Sequence, residues 1–155
     1  MRISDIADPT VPYFRGNFAP VQSQLNEPCI EVMGTVPDAL NGAFLRIGAN
    51  PVFVNNPDSY HPFAGDGMIH EVVFEHGKAS YRNRFVETEG HLAEQKVGGL
   101  IWDGINTKPE DIEQYGPSKN IANPSMILLF CSEYIILKNG KTALKVSQKP
   151  LSVNI

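Results

Sequence analysis

The chain has 155 residues, 42% of them hydrophobic and 19% charged, and is long enough to bury a core of its own. A formal net charge of −4 and the lack of any lysine or arginine run argue against nucleic acid as a partner, since such binders carry a basic face. The longest apolar run, Met126 to Cys131, is too short to cross a bilayer. The opening MRISDIADPT has neither the apolar centre of a signal peptide nor the arginine and serine of a transit peptide, which predicts a cytoplasmic protein.

Residues 1–27, with Pro9, Pro12 and Pro20 and little periodicity, read as an extended N-terminal arm lying over a surface. CIEVMG (29–34) alternates and suits a strand. Asn41-Gly42 is a turn signal, and AFLRIG after it reads as a short buried strand. Cys29 and Cys131 lie far apart and are expected as buried thiols rather than a disulfide or a metal clip.

The clearest strands follow. In MIHEVVFE, Met68, His70, Val72 and Phe74 share one face, the expected core side, and Ile69, Glu71, Val73 and Glu75 share the other. His76-Gly77 is a two-residue hairpin turn, with glycine supplying the positive φ. KASYRNRFV returns, so that Ser80, Arg82 and Arg84 meet Glu71 and Glu75 across the hairpin on what is expected to be a solvated face.

Residues 88–118 allow short helical pieces in TEGHLAEQKVGG and TKPEDIEQYG, neither strongly amphipathic. A second hairpin is predicted in CSEYIILKNGKTALKV, turning at Asn139-Gly140, and the tail SQKPLSVNI follows it. The whole pattern is all-β, with antiparallel strands, tight turns and irregular links. It fits a stack of sheets, a barrel or a propeller equally well.

YHPFAGDGMIH (60–70) concentrates polar chemistry. Gly65 and Gly67 flank Asp66, which predicts a turn stabilised by its own acid and launching the strand at Met68. His61 and His70 are expected to be structural, bonded to nearby backbone or to Asp66, and His76 and His91 to be exposed. The rival reading is a metal site: His61, Asp66 and His70 supply the two imidazoles and one carboxylate of a non-haem Fe(II) facial triad.

GNFAPV (16–21), LNGAFLRIGANP (40–51), HPFAGDGMIH (61–70), GKASYRNRFVET (77–88) and KNIANPSMILL (119–129) occur in an order that resembles the carotenoid cleavage dioxygenases, from about residue 14 to about residue 146. The chain departs from the family pattern at Ala49, Pro62, Ala64 and Pro124; a proline at 124 removes a backbone donor and restricts Asn123. The resemblance implies a seven-bladed β-propeller with a helical cap. It implies Fe(II) on the axis, held by four histidines from separate blades and oriented by three glutamates. Such an enzyme uses O2 to split a conjugated double bond of a carotenoid or apocarotenoid into two carbonyl products. It has an apolar tunnel for substrate and a patch that contacts a membrane surface.

Propeller blades take about 40–50 residues each, so seven need roughly 300 or more. The resemblance therefore implies the N-terminal portion of such an enzyme: an arm (1–27) and an incomplete propeller domain (28–155) of about two blades with short helical insertions. The four histidines lie within one stretch, His61 to His91, and are not the family's iron ligands. The expected result is a chain with no catalytic, cofactor-binding or metal residues of its own, inactive alone, with Fe(II) and carotenoid belonging to the parent enzyme. A truncated product, a split gene or a pseudogene remnant would each give it, and a plastid location stays open for the parent. Two other readings stand beside it. One is a non-catalytic interaction or apolar-ligand-binding protein that self-associates through exposed strand edges. The other is the small metalloprotein built on His61, Asp66 and His70.

Overall fold

The computed structural model describes residue 2, residues 11–103 and 109–122, and the strand backbone of 125–129, 133–138 and 142–147. The Asn139-Gly140 turn, Pro124, Cys131 and the tail lie outside the described residues.

The elements run β1 (Asn26–Glu27), β2 (Gly42–Asn50), β3 (Asp66–Glu75), β4 (Lys78–Phe85), α1 (Glu89–Val97), α2 (Ile112–Tyr115), β5 (Ser125–Leu129), β6 (Glu133–Lys138) and β7 (Thr142–Ser147). They form a four-stranded antiparallel sheet in the order β1-β4-β3-β2 and a three-stranded antiparallel meander β5-β6-β7. The two sheets touch where β2 meets β5.

The β3–β4 hairpin is the centre of the first sheet. Its turn is His76-Gly77, and both residues take positive φ, 49° and 72°, the geometry that matches the twist of the flanking strands. The pairing puts Glu71 directly opposite Arg82. That pair is not the solvated ladder expected. Glu71 is buried, and its carboxylate is ion-paired with the Arg82 guanidinium. The reason is that β3 is covered on both faces at its N-terminal half, where Asp66, Gly67, Met68 and Ile69 are all buried. Residues 121–122 cross over Gly67 on the same face as Ile69 and Glu71.

Four other expectations need correction. CIEVMG forms no strand. Pro28, which lacks an N–H, interrupts the pairing that β1 makes with β4; a single bond from the Ile30 N–H to the Ala79 carbonyl (2.9 Å) continues it, and Met33 is almost wholly exposed. Cys29 is accordingly exposed, not buried. The β2 strand is real but mostly not buried: it is the last strand of its sheet, and Phe44 is 61% exposed. The turn before it is centred on Asp38-Ala39, closed by the Leu40 N–H to the Pro37 carbonyl (2.9 Å), and Gly42 already opens β2.

Residues 20–27 are fastened to the sheet by side-chain amides that imitate a neighbouring strand. Asn50 accepts from the Val21 N–H at 2.7 Å and donates to the Val21 carbonyl at 3.0 Å. Asn83, with no exposed surface, accepts from the Leu25 N–H at 2.6 Å and donates to the Ser23 carbonyl at 3.3 Å. Gln24 returns the favour, accepting from the Phe85 N–H at 2.9 Å. Buried amides of this kind stay only where all their groups are bonded. Ahead of them Phe14 packs on Val54, with Val11 and Tyr60 at the margin.

Candidate functional site

The polar stretch at 60–70 is built by close backbone approach. A Cβ on Gly67 would lie 2.1 Å from the Ala122 carbonyl oxygen, and one on Gly65 would lie 2.6 Å from the Pro51 nitrogen. Gly67 itself donates to the Ile121 carbonyl at 2.6 Å and accepts from the Val86 N–H at 2.8 Å. Only glycine allows three backbone segments to meet this tightly.

Asp66 then opens β3 beside the start of α1. That helix begins at the Thr88 N-cap, whose hydroxyl accepts from the His91 N–H at 3.1 Å, and stops at Gly98 in the left-handed region, φ 73°. His91 and Glu94, three residues apart, share one face of it. The Asp66 Oδ2 lies 3.0 Å from His91 Nδ1, and Oδ1 lies 2.8 Å from the Lys119 ammonium. Lys119 also reaches Glu94 Oε2 at 2.5 Å. Glu94 Oε1 accepts from the Ile101 and Trp102 N–H groups at 3.1 and 3.3 Å. The missing side chain of Gly90 makes room for the Lys119 stem, whose Cγ would come within 2.7 Å of a Cβ there.

All four side chains are nearly excluded from water. Burial pushes the Asp66 carboxyl up, but the His91 hydrogen bond and the Lys119 charge more than offset this, so it titrates below the ordinary carboxylate value. The network ties β3, α1 and the 119–122 segment together. Each carboxylate is occupied by protein donors, which makes it a clamp rather than a proton-transfer pair.

This corrects two expectations. Asp66 is not a self-bonded turn acid; of the two partners open to His61 and His70, nearby backbone or Asp66, His61 takes the backbone and His70 takes neither. His91, expected on the surface, is 6% exposed and stacks on Phe85 with ring centroids 4.8 Å apart. The Thr88, His91, Glu94 spacing on a short helix was the available signal for that. His70 is half-buried, its Nδ1 2.8 Å from the Tyr81 hydroxyl on β4. Burial and the neighbouring Arg46 charge hold its imidazole below the usual histidine value. His61 is exposed, accepting from the Phe63 N–H at 3.3 Å through Nδ1, and His76 is exposed in its hairpin turn.

The four histidines thus face four different surroundings, and the trio His61, Asp66 and His70 does not converge. Among the described residues no group of three or more His, Cys, Asp or Glu side chains could share a metal ion. Their donor sets do not fit an iron centre of either kind considered from the sequence.

Two of the cavities among the described residues lie on the sheet. One, of about 580 Å³, is lined by His91, Phe85, Gln24 and Gln95 among others. The second, of about 300 Å³, lies between residues 13–21 of the arm and the second half of β2. Tyr13, Phe18 and Tyr60 contribute rings to it, and Arg46 and His70 line it from directly opposite positions on β2 and β3.

Residues 18–154 match the family described as RPE65, retinal pigment epithelial membrane protein. A carotenoid cleavage oxygenase of Mycobacterium tuberculosis is 35% identical over 125 residues, covering 78% of this chain and 24% of that protein. A carotenoid 9,10(9′,10′)-cleavage dioxygenase of Crocus sativus is 47% identical over 89 residues, 56% of this chain and 16% of the relative. Among solved structures, the lignostilbene dioxygenase of Pseudomonas brassicacearum superposes with a TM-score of 0.80 at 25% identity, covering 96% of this chain and 31% of that one. The chain spans about a quarter or less of the length of these curated relatives. With the strand-rich fold, the glycine-built approach at Asp66 and a match running from residue 18 to residue 154, the chain belongs to the RPE65 and carotenoid oxygenase family.

Proposed function

We propose that this chain is the opening part of a carotenoid or apocarotenoid cleavage oxygenase, contributing the arm and the first blades of a propeller whose iron ligands lie elsewhere in the full enzyme. The four-stranded antiparallel sheet has the strand number of a propeller blade, and the β5-β6-β7 meander has three strands of a second. Fe(II) in such an enzyme supplies activation of O2 for scission of a conjugated double bond. The residues here supply scaffold: the Asp66–His91–Lys119–Glu94 clamp and the amide-fastened arm. The observation that carries the reading is the family match over 18–154, joined to coverage of 24% of the length of the mycobacterial relative.

The reading predicts that the purified chain, loaded anaerobically with Fe(II) and then given O2 and a β-apocarotenal, yields no carbonyl products above a metal-only control. It further predicts that the transcript continues in frame beyond Ile155 and encodes the histidines that hold iron. Product formation by the chain alone would overturn the assignment of chemistry to other residues. A transcript without such a continuation would favour an interaction protein derived from the family.

A further inference from the structure

We propose that the cavity between the arm and β2 binds a small aromatic or conjugated monocarboxylate. Its volume, about 300 Å³, is at the lower limit for a ligand site and matches a molecule of one ring with a short side chain. Two of its lining residues are aromatic: Tyr13 and Phe18 stand edge to face with centroids 6.3 Å apart, and both rings remain exposed instead of joining the core. A planar π system is the shape such walls accept.

The charge of the site is more telling. Not one of the lining residues is acidic, although the chain as a whole carries −4. Arg46 is the permanent charge at the cavity and forms no ion pair among the described residues. A guanidinium with no ion-pair partner among the described residues, beside aromatic rings, is suited to a carboxylate. Tyr60 adds a second donor: its buried hydroxyl oxygen is approached by the Gly65 backbone, and its own proton meets no acceptor among the described residues. An acceptor oxygen on the ligand would complete it, and an uncompleted buried donor is costly. His70, directly opposite Arg46, stays neutral near pH 7 and so does not compete for the anion. The site uses neither iron nor any residue beyond the described ones, so it stands or falls apart from the assignment of the whole enzyme.

The full chain is titrated with trans-cinnamate and, separately, with its uncharged isostere cinnamamide, following backbone and His70 ring resonances by NMR. The expected result is saturable shifts confined to residues 46–51, His70 and the arm facing them, with cinnamamide about tenfold weaker. Arg46→Met, at an exposed position that keeps the fold, should weaken cinnamate about tenfold. Tyr60→Phe should weaken it several-fold, about the loss of one neutral hydrogen bond. The proposal is overturned by any of three results: no saturable shift up to about 10 mM, the weakest affinity worth calling specific; shifts that map elsewhere; or equal cinnamate affinity in Arg46→Met. If Tyr60→Phe does not fold, Arg46→Met and cinnamamide still decide the matter.

Discussion

Lys119→Met tests the buried clamp most directly. The Lys119 side chain is 8% exposed and holds two carboxylates, Asp66 at 2.8 Å and Glu94 at 2.5 Å, themselves 6% and 2% exposed. Methionine keeps the stem that fills the space over Gly90 and deletes only the charge. Two buried carboxylates are then left sharing His91 and a few backbone donors. Removing one partner of a buried ion set costs about 3–5 kcal/mol, a large part of the roughly 5–15 kcal/mol that holds a domain together. The only tryptophan, Trp102, gives Glu94 its backbone N–H, so its emission reports this site during urea unfolding. The midpoint should fall by roughly 2 M in urea. The triple variant Asp66→Asn, Glu94→Gln, Lys119→Met should recover much of the loss, because no unpaired charge remains inside. A loss under about 1 kcal/mol for Lys119→Met, the value of an exposed pair, would mean that water reaches these groups and that the clamp contributes little.

Three further outcomes follow from the same structure. Asp66 titrates below its ordinary value of 3.8 when folded, so its contribution to stability is complete above that pH and disappears as pH falls through the lowered folded value; Asp66→Asn should flatten this acid limb in a stability-against-pH series. Gly67→Ala would press a methyl group into the Ala122 carbonyl, 2.1 Å away, and should cost several kcal/mol, about that of severe overpacking. Gly48→Ala, with nothing within 4 Å, should leave the thermal midpoint nearly unchanged, and similar losses at the two sites would contradict the close approach. Asn83→Ala removes both side-chain bonds to residues 23–25 and should cost about 1–3 kcal/mol. It should also speed proteolytic cutting between residues 20 and 27, and an unchanged cutting rate would show that Asn50 and Gln24 hold the arm without it.

Much of the first sheet was legible in the residues. Alternation and the His76-Gly77 pair located β3, β4 and their turn, and even the Glu71–Arg82 pairing, because hairpin register follows from turn length. Several judgements of which face meets water failed, although His76 is exposed and Met68 buried as expected. Glu71 and His91 look like surface residues because their side chains are polar. His91 is bonded to Asp66, which also holds Lys119 from far along the chain, and Glu71 lies on the β3 face that residues 121–122 cross at Gly67. Cys29 and β2 look like core because they are apolar, yet they lie beyond the last covered layer.

The sequence by itself determined the strand-rich class, the hairpin and the family, since turn chemistry, side-chain periodicity and ordered motifs are local properties of the chain. Only the tertiary structure decided that Asp66 faces His91 and Lys119 instead of its own turn, and that the histidines do not assemble. Those outcomes depend on which distant segments exclude water from a given side chain, and burial sets both the partners a charge needs and the proton it keeps.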